Sequence, residues 1–401
     1  MNRPTSPGAG PAAPHLFTVL ALLWIGGGAM RIPLLAVPPI LPLIHDDLHM
    51  SETQVGLLIG LPLIMFALAA IPGSLLIARL GALRVATAGI AIATIAAAAR
   101  SAAFDVWTLY AATLLMGFGV AICQPAMPTL VRLWTPARAW LANAFFTNGM
   151  LMGATFSTSL TIPFILPMVG ASWRSAVLFW SIPGVIAVLL YILAAPRPKA
   201  PDAAAQAMAA RWWPEWNSPT LWLLGIALGA NNALFFASNA FVPDYLTSTG
   251  RGDMIALTLT YLNASQLIGS FVMLAMPERM QRGHWPFTVF GPITAIGLLG
   301  LVFCDGIWIQ LSAAAAGIGG AVTFIVTFGL PAILSPPGEV HRMASGMFTI
   351  SYAIAVVVPI LCGAVWDITG LPWTSFLPIA ACAVGMTIFG TALTLRSQRQ
   401  R

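Results

Sequence analysis

Stretches of about 20 apolar residues, the length of helix that crosses a hydrocarbon core of about 30 Å, recur along this chain at 16–44, 54–77, 85–103, 107–131, 139–167 and 173–195. After a polar interval they resume at 220–246, 254–276, 286–304, 307–333, 343–366 and 373–395. No soluble core holds twelve such segments. With 59% of the 401 residues hydrophobic and 7% charged, the chain lacks the polar surface to enclose them. In lipid each backbone N–H and C=O has to be satisfied internally, so runs of this length become helices. The expected fold is an all-α integral membrane protein with twelve transmembrane helices in two six-helix bundles, over 16–195 and 220–395. A flexible tail over 1–15, a linker over 196–219 and a short tail over 396–401 complete it.

Basic loops tend to stay in the cytoplasm. With a cytoplasmic N-terminus, all of the 18 Lys and Arg residues fall on the inner side except Arg100, Arg174 and Arg251, and Arg31, which lies within the bilayer. Asp46, Asp47, Glu52, Asp105, Asp244, Asp253, Asp305 and Asp367 fall toward the outer face. Both termini are therefore expected in the cytoplasm. The net charge of +6 is a matter of topology and gives no support for nucleic-acid binding. The linker "APRPKAPDAAAQAMAARWWPEWNSP" has an Ala-rich middle suited to an interfacial helix, with Trp212, Trp213 and Trp216 at the headgroups. Cys123, Cys304, Cys362 and Cys382 show neither metal-ligand spacing nor a disulfide framework, so no metal or other cofactor is expected.

The two halves repeat one another. Gly117-x-Gly119-x-Ala121 recurs as Gly317-x-Gly319-x-Ala321, and Gly170-x-x-Trp173 as Gly370-x-x-Trp373. Gly28-Ala29-x-Arg31 followed by Pro42 is matched by Gly229-Ala230-x-Asn232 followed by Pro243, and Arg79 by Arg279. Two parallel six-helix repeats resemble the build of the major facilitator superfamily, which places the substrate near the midplane between the halves. The segments "MRIPLLAVPPILPLI", "MSETQVGLLIGLPLI", "PGSLLIARLG", "MGFGVAICQPAMPTLVRLW" and "SYAIAVVVPILCGAVWDITGLPW" resemble the cyanate porter and 2-nitroimidazole transporter family more closely. Arg31 holds the Arg of that family's Asn-Leu-Arg-Pro-type signature, with Ala29 and Ile32 in place of Asn and Pro. Gln124, four residues before Pro128, stands where the fourth span of the family carries Asn. The superfamily loop signature Gly-x-x-x-Asp-Arg-x-Gly-x-x-Arg survives as Ser74, Arg79, Gly81 and Arg84, with Ala78 at the acidic position. Glu278 occupies the matching place in the second half. The resemblance implies a bacterial inner-membrane carrier, with Arg79, Gly81, Arg84, Glu278 and Arg279 in the loops that condition switching.

Arg31 sits too deep to reach water by snorkelling. A charge at the bilayer centre costs about 2.5–3.5 kcal/mol on insertion scales, so it faces a bundle interior or a watery cavity. No carboxylate stands near the middle of any span, which leaves three readings of Arg31. It binds an anion, it bonds unwound carbonyls beside Pro33, Pro38 and Pro39 or polar groups such as Gln124, or it gates a helix. Its counterpart in the repeat, Asn232, would face it across the cavity. Asn148, Thr155 and Ser159 share a face of the fifth span, and Asn232, Phe236 and Asn239 lie on the seventh. Gln124 on the fourth, Tyr261 and Gln266 on the eighth and Tyr352 on the eleventh complete the candidates for substrate contact, with Tyr261, Phe236 and Tyr352 as walls or gates. Interhelical hydrogen bonding is the alternative for each of them.

Proton-driven carriers use a buried Asp, Glu or His, but His15, His45, His49, His284 and His341 fall at span ends or in loops. That favours facilitated or exchange movement, or a proton carried on the substrate, with Asp244 as the one outer group placed to titrate. An enzyme would need a clustered acid–base pair, nucleophile or metal ligands. Neither HExxH, GxSxG nor GxxxxGK[ST] occurs. The expectation is a monomeric secondary active or facilitative transporter, with lipid and a small anion as its partners, working by rocker-switch alternating access. The alternatives are efflux of neutral drugs such as nitroheterocycles and, from a different class, a receptor that binds without transporting.

Overall fold

The computed structural model describes residues 16–50, 52–197, 211–281, 283–336 and 338–399. The tail over 1–15 and the Ala-rich middle of the linker, with its expected interfacial helix, lie outside them. Among the described residues, twelve helices are long and apolar enough to cross a membrane. In the first half these are α1 (Leu16–Leu48), α2 (Leu57–Leu80), α3 (Ala82–Ala102), α4 (Val106–Trp134), α5 (Pro136–Met168) and α6 (Trp173–Ala194). The second half holds α7 (Pro219–Ser248), α8 (Gly252–Ala275), α9 (Trp285–Phe303), α10 (Ile307–Leu334), α11 (Val340–Thr369) and α12 (Pro372–Leu395).

Packing repeats with the sequence. α1 pairs with α5, α2 with α4 and α3 with α4, and the second half pairs α7 with α11, α8 with α10 and α9 with α10. Small residues set these crossings, because lipid supplies no hydrophobic force between helices and close backbone approach has to replace it. On α5, Gly149 lies against the Trp24 backbone and Gly153 against Gly28, where an added methyl would come within 2.8 Å of the Gly28 Cα. On α7, Gly225 and Gly229 receive Ile350 and Ile354 of α11, at 2.6 and 2.7 Å from where a methyl would stand. The halves meet along α2 with α11 and α5 with α8, joined by α10 on α4 and α5.

Proline and capping decide where the helices break. α1 is regular over Leu16–Leu35, turns through Pro38–Ile40 and resumes over Leu41–Leu48. The Pro33 carbonyl falls in the last turn before that break, without a helical donor, and the Arg100 guanidinium donates to it at 2.5 Å. Arg100, expected on the outer side at the end of the third span, stands at the end of α3 but is only 3% exposed, because that orphan carbonyl draws it under α1. α6 also breaks, between Trp173–Phe179 and Ile182–Ala194, with the Trp180 indole donating to the Thr161 hydroxyl at 2.8 Å. α4 starts on a capping box: the Thr108 amide donates to the Asp105 carboxylate at 2.7 Å, and the Asp105 amide to the Thr108 hydroxyl at 3.3 Å. The Thr108 amide and then the Thr108 hydroxyl, both donating to the carboxylate, hold the Asp105 carboxyl below the usual carboxylate range.

Candidate functional site

A cavity of about 460 Å³ opens between the halves, within the range of small-ligand sites. It is lined by α1, α2 and α5 on one side and by α7, α8 and α10 on the other, over residues 231–239 of α7 and 259–266 of α8. On α1, α2 and α5 the lining lies toward the end remote from the chain termini, and on α7, α8 and α10 it is centred near midspan, so the cavity faces that end. At that end Arg174 pairs with Asp47 at 2.5 Å within the first half, and Arg251 with Asp305 at 2.9 Å within the second. Among the described residues no ion pair crosses the mouth.

Arg31 lines the cavity from α1. Its guanidinium makes no ion pair or hydrogen bond among the described residues, and its electrostatic neighbour is Tyr352. Asn232, Phe236 and Gln266 line the same cavity, as do Thr155, Ser159 and Asn239. Gln124 and Tyr352 lie just behind the lining, buried and within reach of one another, and the Gln124 Oε1 has no hydrogen-bond partner. Asn148 is also off the lining. It accepts from the Trp24 indole at 2.8 Å and donates to Ser270 of α8 at 3.0 Å, tying α1, α5 and α8 together. Tyr261, expected as a wall or gate, projects from α8 with 39% of its surface exposed, away from the cavity. Helical periodicity explains this: Leu259, Asn263 and Gln266 hold the inward face, and a residue two positions from Leu259 points nearly opposite. Asp244, the remaining titratable candidate, is exposed and off the lining.

Below the cavity, toward the termini, the halves are closed on each other. Phe66 of α2 packs on Tyr352 of α11 with ring centroids 5.0 Å apart. Phe348 of α11 packs on Phe328 of α10 at 5.2 Å, and Phe328 on Phe146 of α5 at 5.4 Å. Two hydrogen bonds cross the same level, from Asn143 to the Ile325 carbonyl at 2.8 Å and from Thr349 to the Ala67 carbonyl at 3.1 Å. Sequence reasoning missed this plug because four more phenylalanines in an apolar helix carry no signal of their own. Arg100 was missed as a buried cation for a related reason, since it stands at a span end.

Of the expected switching residues, Gly81 takes φ +84° at the N-terminus of α3, a conformation that favours glycine. Arg79 and Arg84 flank it, both exposed. Glu278 and Arg279 belong to a short helix, Glu278–Gln281, and their side chains lie outside the described residues. The linker segment beyond Arg211 crosses the closed end. Ser74 of α2 donates to the Trp212 carbonyl at 2.7 Å, His341 contacts the Arg211 carbonyl at 3.1 Å and Arg342 donates to the Trp213 carbonyl at 2.6 Å. Trp212, Trp213 and Trp216 pack edge-on against one another.

The sequence matches the Major Facilitator Superfamily over residues 22–359. It is 27% identical to the uncharacterized transporter YycB of Bacillus subtilis (strain 168) over 90% of this chain and 89% of that protein. Identity to the cyanate transport protein CynX of Escherichia coli (strain K12) is 23% over 94% and 96% of the two chains, and to the 2-nitroimidazole transporter of the same strain 25% over 90% and 91%. The fold superposes on the superfamily transporter FucP in its outward conformation with a TM-score of 0.74, at 14% identity and covering 93% and 98% of the two chains.

Proposed function

The chain belongs to the major facilitator superfamily, and on that premise we propose that it is a secondary active or facilitative carrier of a small anion. Arg31 carries the reading. An always-charged guanidinium in a cavity between the halves, with no carboxylate partner among the described residues, lacks the counter-charge that buried cations require. A bound anion supplies it through paired hydrogen bonds, which the planar fork of arginine makes better than lysine can. Rocking of the two halves exposes the site first to one side of the membrane and then to the other. Clustering of basic loops at the end that holds the termini favours a cytoplasmic location for both, and the bacterial relatives favour the inner membrane. One chain contributes both walls of the cavity, so a monomer suffices. No acidic side chain lines the cavity among the described residues, which supports uniport, exchange, or a proton that travels on the substrate.

The relative named for cyanate transport supports an anion. A second reading, export of neutral nitroheterocycles, draws on the relative named for 2-nitroimidazole and on the Phe235, Phe236 and Phe324 rings in the lining. Thermal unfolding of purified wild type and Arg31→Gln separates the two readings, with cyanate, nitrate, formate, oxalate and aromatic carboxylates set against 2-nitroimidazole and cationic dyes. An anion at one hundred times its Kd should add about 2.7 kcal/mol to the wild type and little to Arg31→Gln. Stabilisation by neutral compounds alone, equal in both proteins, would establish the second reading.

A further inference from the structure

Five carboxamides line the cavity from α7 and α8, and each turns its amide nitrogen into the protein. Asn231 donates to the Gly320 carbonyl at 2.9 Å and to the Thr323 hydroxyl at 2.8 Å. Asn232 donates to the Ser351 hydroxyl at 2.9 Å, and Asn239 to the Phe235 carbonyl at 2.8 Å. Asn263 donates to Asn239 Oδ1 at 2.8 Å and to the Leu259 carbonyl at 2.9 Å. Gln266 reaches more loosely to the Leu262 carbonyl at 3.5 Å and to Asn263 Oδ1 at 3.4 Å. Main-chain carbonyls only accept, so they decide which way the Asn231, Asn239 and Asn263 amides are turned. The lining hydroxyls of Thr158 and Thr260 likewise donate back to their own helices, at 2.9 and 2.8 Å. On α7 and α8 what remains for a ligand is a set of oxygens, while on the Arg31 side the Thr155 and Ser159 hydroxyls of α5 have no hydrogen-bond partner among the described residues and can donate or accept. Asn231 Oδ1, Asn232 Oδ1 and Gln266 Oε1 accept no hydrogen bond among the described residues, whereas Arg31 on the facing wall offers only donors.

We infer that the substrate is a small anion that also carries an uncharged N–H or O–H donor, bound with its anionic group at Arg31 and its donor toward the carboxamide oxygens of α7 and α8. This deepens the anion reading above and rests on it. A ligand without a donor strips water from those oxygens and returns nothing to them, which a site built to receive hydrogen bonds penalises strongly. An ammonium group meets acceptors there as well, but once the ligand's anionic group is spent on Arg31 no acidic side chain among the described lining residues offsets a second charge. A neutral donor satisfies both walls.

The test compares matched acids that differ in one ring atom: pyrrole-2-carboxylate with furan-2-carboxylate, and indole-2-carboxylate with benzofuran-2-carboxylate. Pyrrole-2-carboxamide serves as the neutral control. Binding is measured by calorimetry to detergent-purified wild type, Arg31→Gln and Gln266→Met, the last of nearly equal volume and free of tight bonds to lose. The N–H acids should bind the wild type at least about tenfold more tightly than their oxygen partners, the preference should shrink in Gln266→Met, and both acids should weaken in Arg31→Gln. Equal binding within each pair, still dependent on Arg31, would overturn the donor inference and leave the anion reading standing. Binding that is indifferent to Arg31→Gln, or confined to the carboxamide, overturns the anion reading and this inference with it. Failure of all four acids to bind folded wild type overturns this inference and leaves the anion reading to the inorganic and small carboxylate panel above. The wild-type pairs alone decide the donor question if Gln266→Met does not fold.

Discussion

Arg31 and Arg100 are both cations among apolar helices, and they differ in what answers their charge. Arg100 has the Pro33 carbonyl at 2.5 Å at the C-terminal end of the first segment of α1, where the helix dipole favours a cation. Arg31 has a cavity. Substitution should therefore separate them. Arg31→Lys keeps the charge and loses the fork, so anion affinity should fall less than in Arg31→Gln, where loss of a charge-paired group costs about 2–5 kcal/mol, or at least roughly 30-fold; titration calorimetry on the three proteins checks the order. Arg100→Ala leaves the Pro33 carbonyl without its donor, and thermal unfolding should show a loss of about 1–3 kcal/mol. The place of Arg31 was legible in the sequence because a charge in the middle of an apolar run has to face a bundle interior or a cavity. Arg100 was not: a residue at a span end belongs equally to a loop or to the core until the neighbouring helix is placed, and the neighbour's break at Pro33 was what drew it in.

At the scale of helices, the packing follows the repeat. Gly28 and Gly229 stand at equivalent places in α1 and α7, and each faces the fifth helix of its own half. The twelve spans and the duplication were readable because hydrophobic length and small-residue spacing are local properties. Which polar residues face the cavity was less so, since rotation of a helix by two residues moves Tyr261 to the outside, and Asn148 serves Ser270 and Trp24 instead of the lumen. Two predictions belong here. Gly149→Val forces a branched side chain onto the Trp24 backbone, and overpacking of that kind should cost about 1–3 kcal/mol in thermal or denaturant unfolding. Phe328→Ala removes the ring that bridges Phe146, Phe324 and Phe348. Large-to-small changes at such sites cost about 3–5 kcal/mol, and here the loss falls on the state whose inner end is closed. In a cysteine-free background, Ser74→Cys, buried at that end, should react faster with a bulky maleimide when Phe328→Ala is added, and an unchanged rate would remove Phe328 from the closure.

For the whole molecule, alternating access requires that something at the closed end let go. The linker is held on both sides of the division, by Ser74 of α2 in the first half and by His341 and Arg342 of α11 in the second. Glu339 strengthens the second attachment, pairing with Arg342 at 3.2 Å and with Arg211 at 3.6 Å. When the halves part at this end, the segment should leave α2, where one hydroxyl holds it, and stay with α11. Ser74→Ala then removes a bond made only while the end is closed, worth about 0.5–1.5 kcal/mol, so the ratio of open to closed should rise roughly two- to tenfold. Spin labels on exposed Arg84 and exposed Arg211, both at this end and on opposite sides of the Ser74 contact, report that ratio as the populations of a short and a long distance. Growth of the long-distance population in Ser74→Ala, with thermal stability nearly unchanged, is the expected result. A distance distribution identical to that of the parent would mean that the Ser74 contact does not bias the closed state, which the aromatic plug and the Asn143 and Thr349 hydrogen bonds then set.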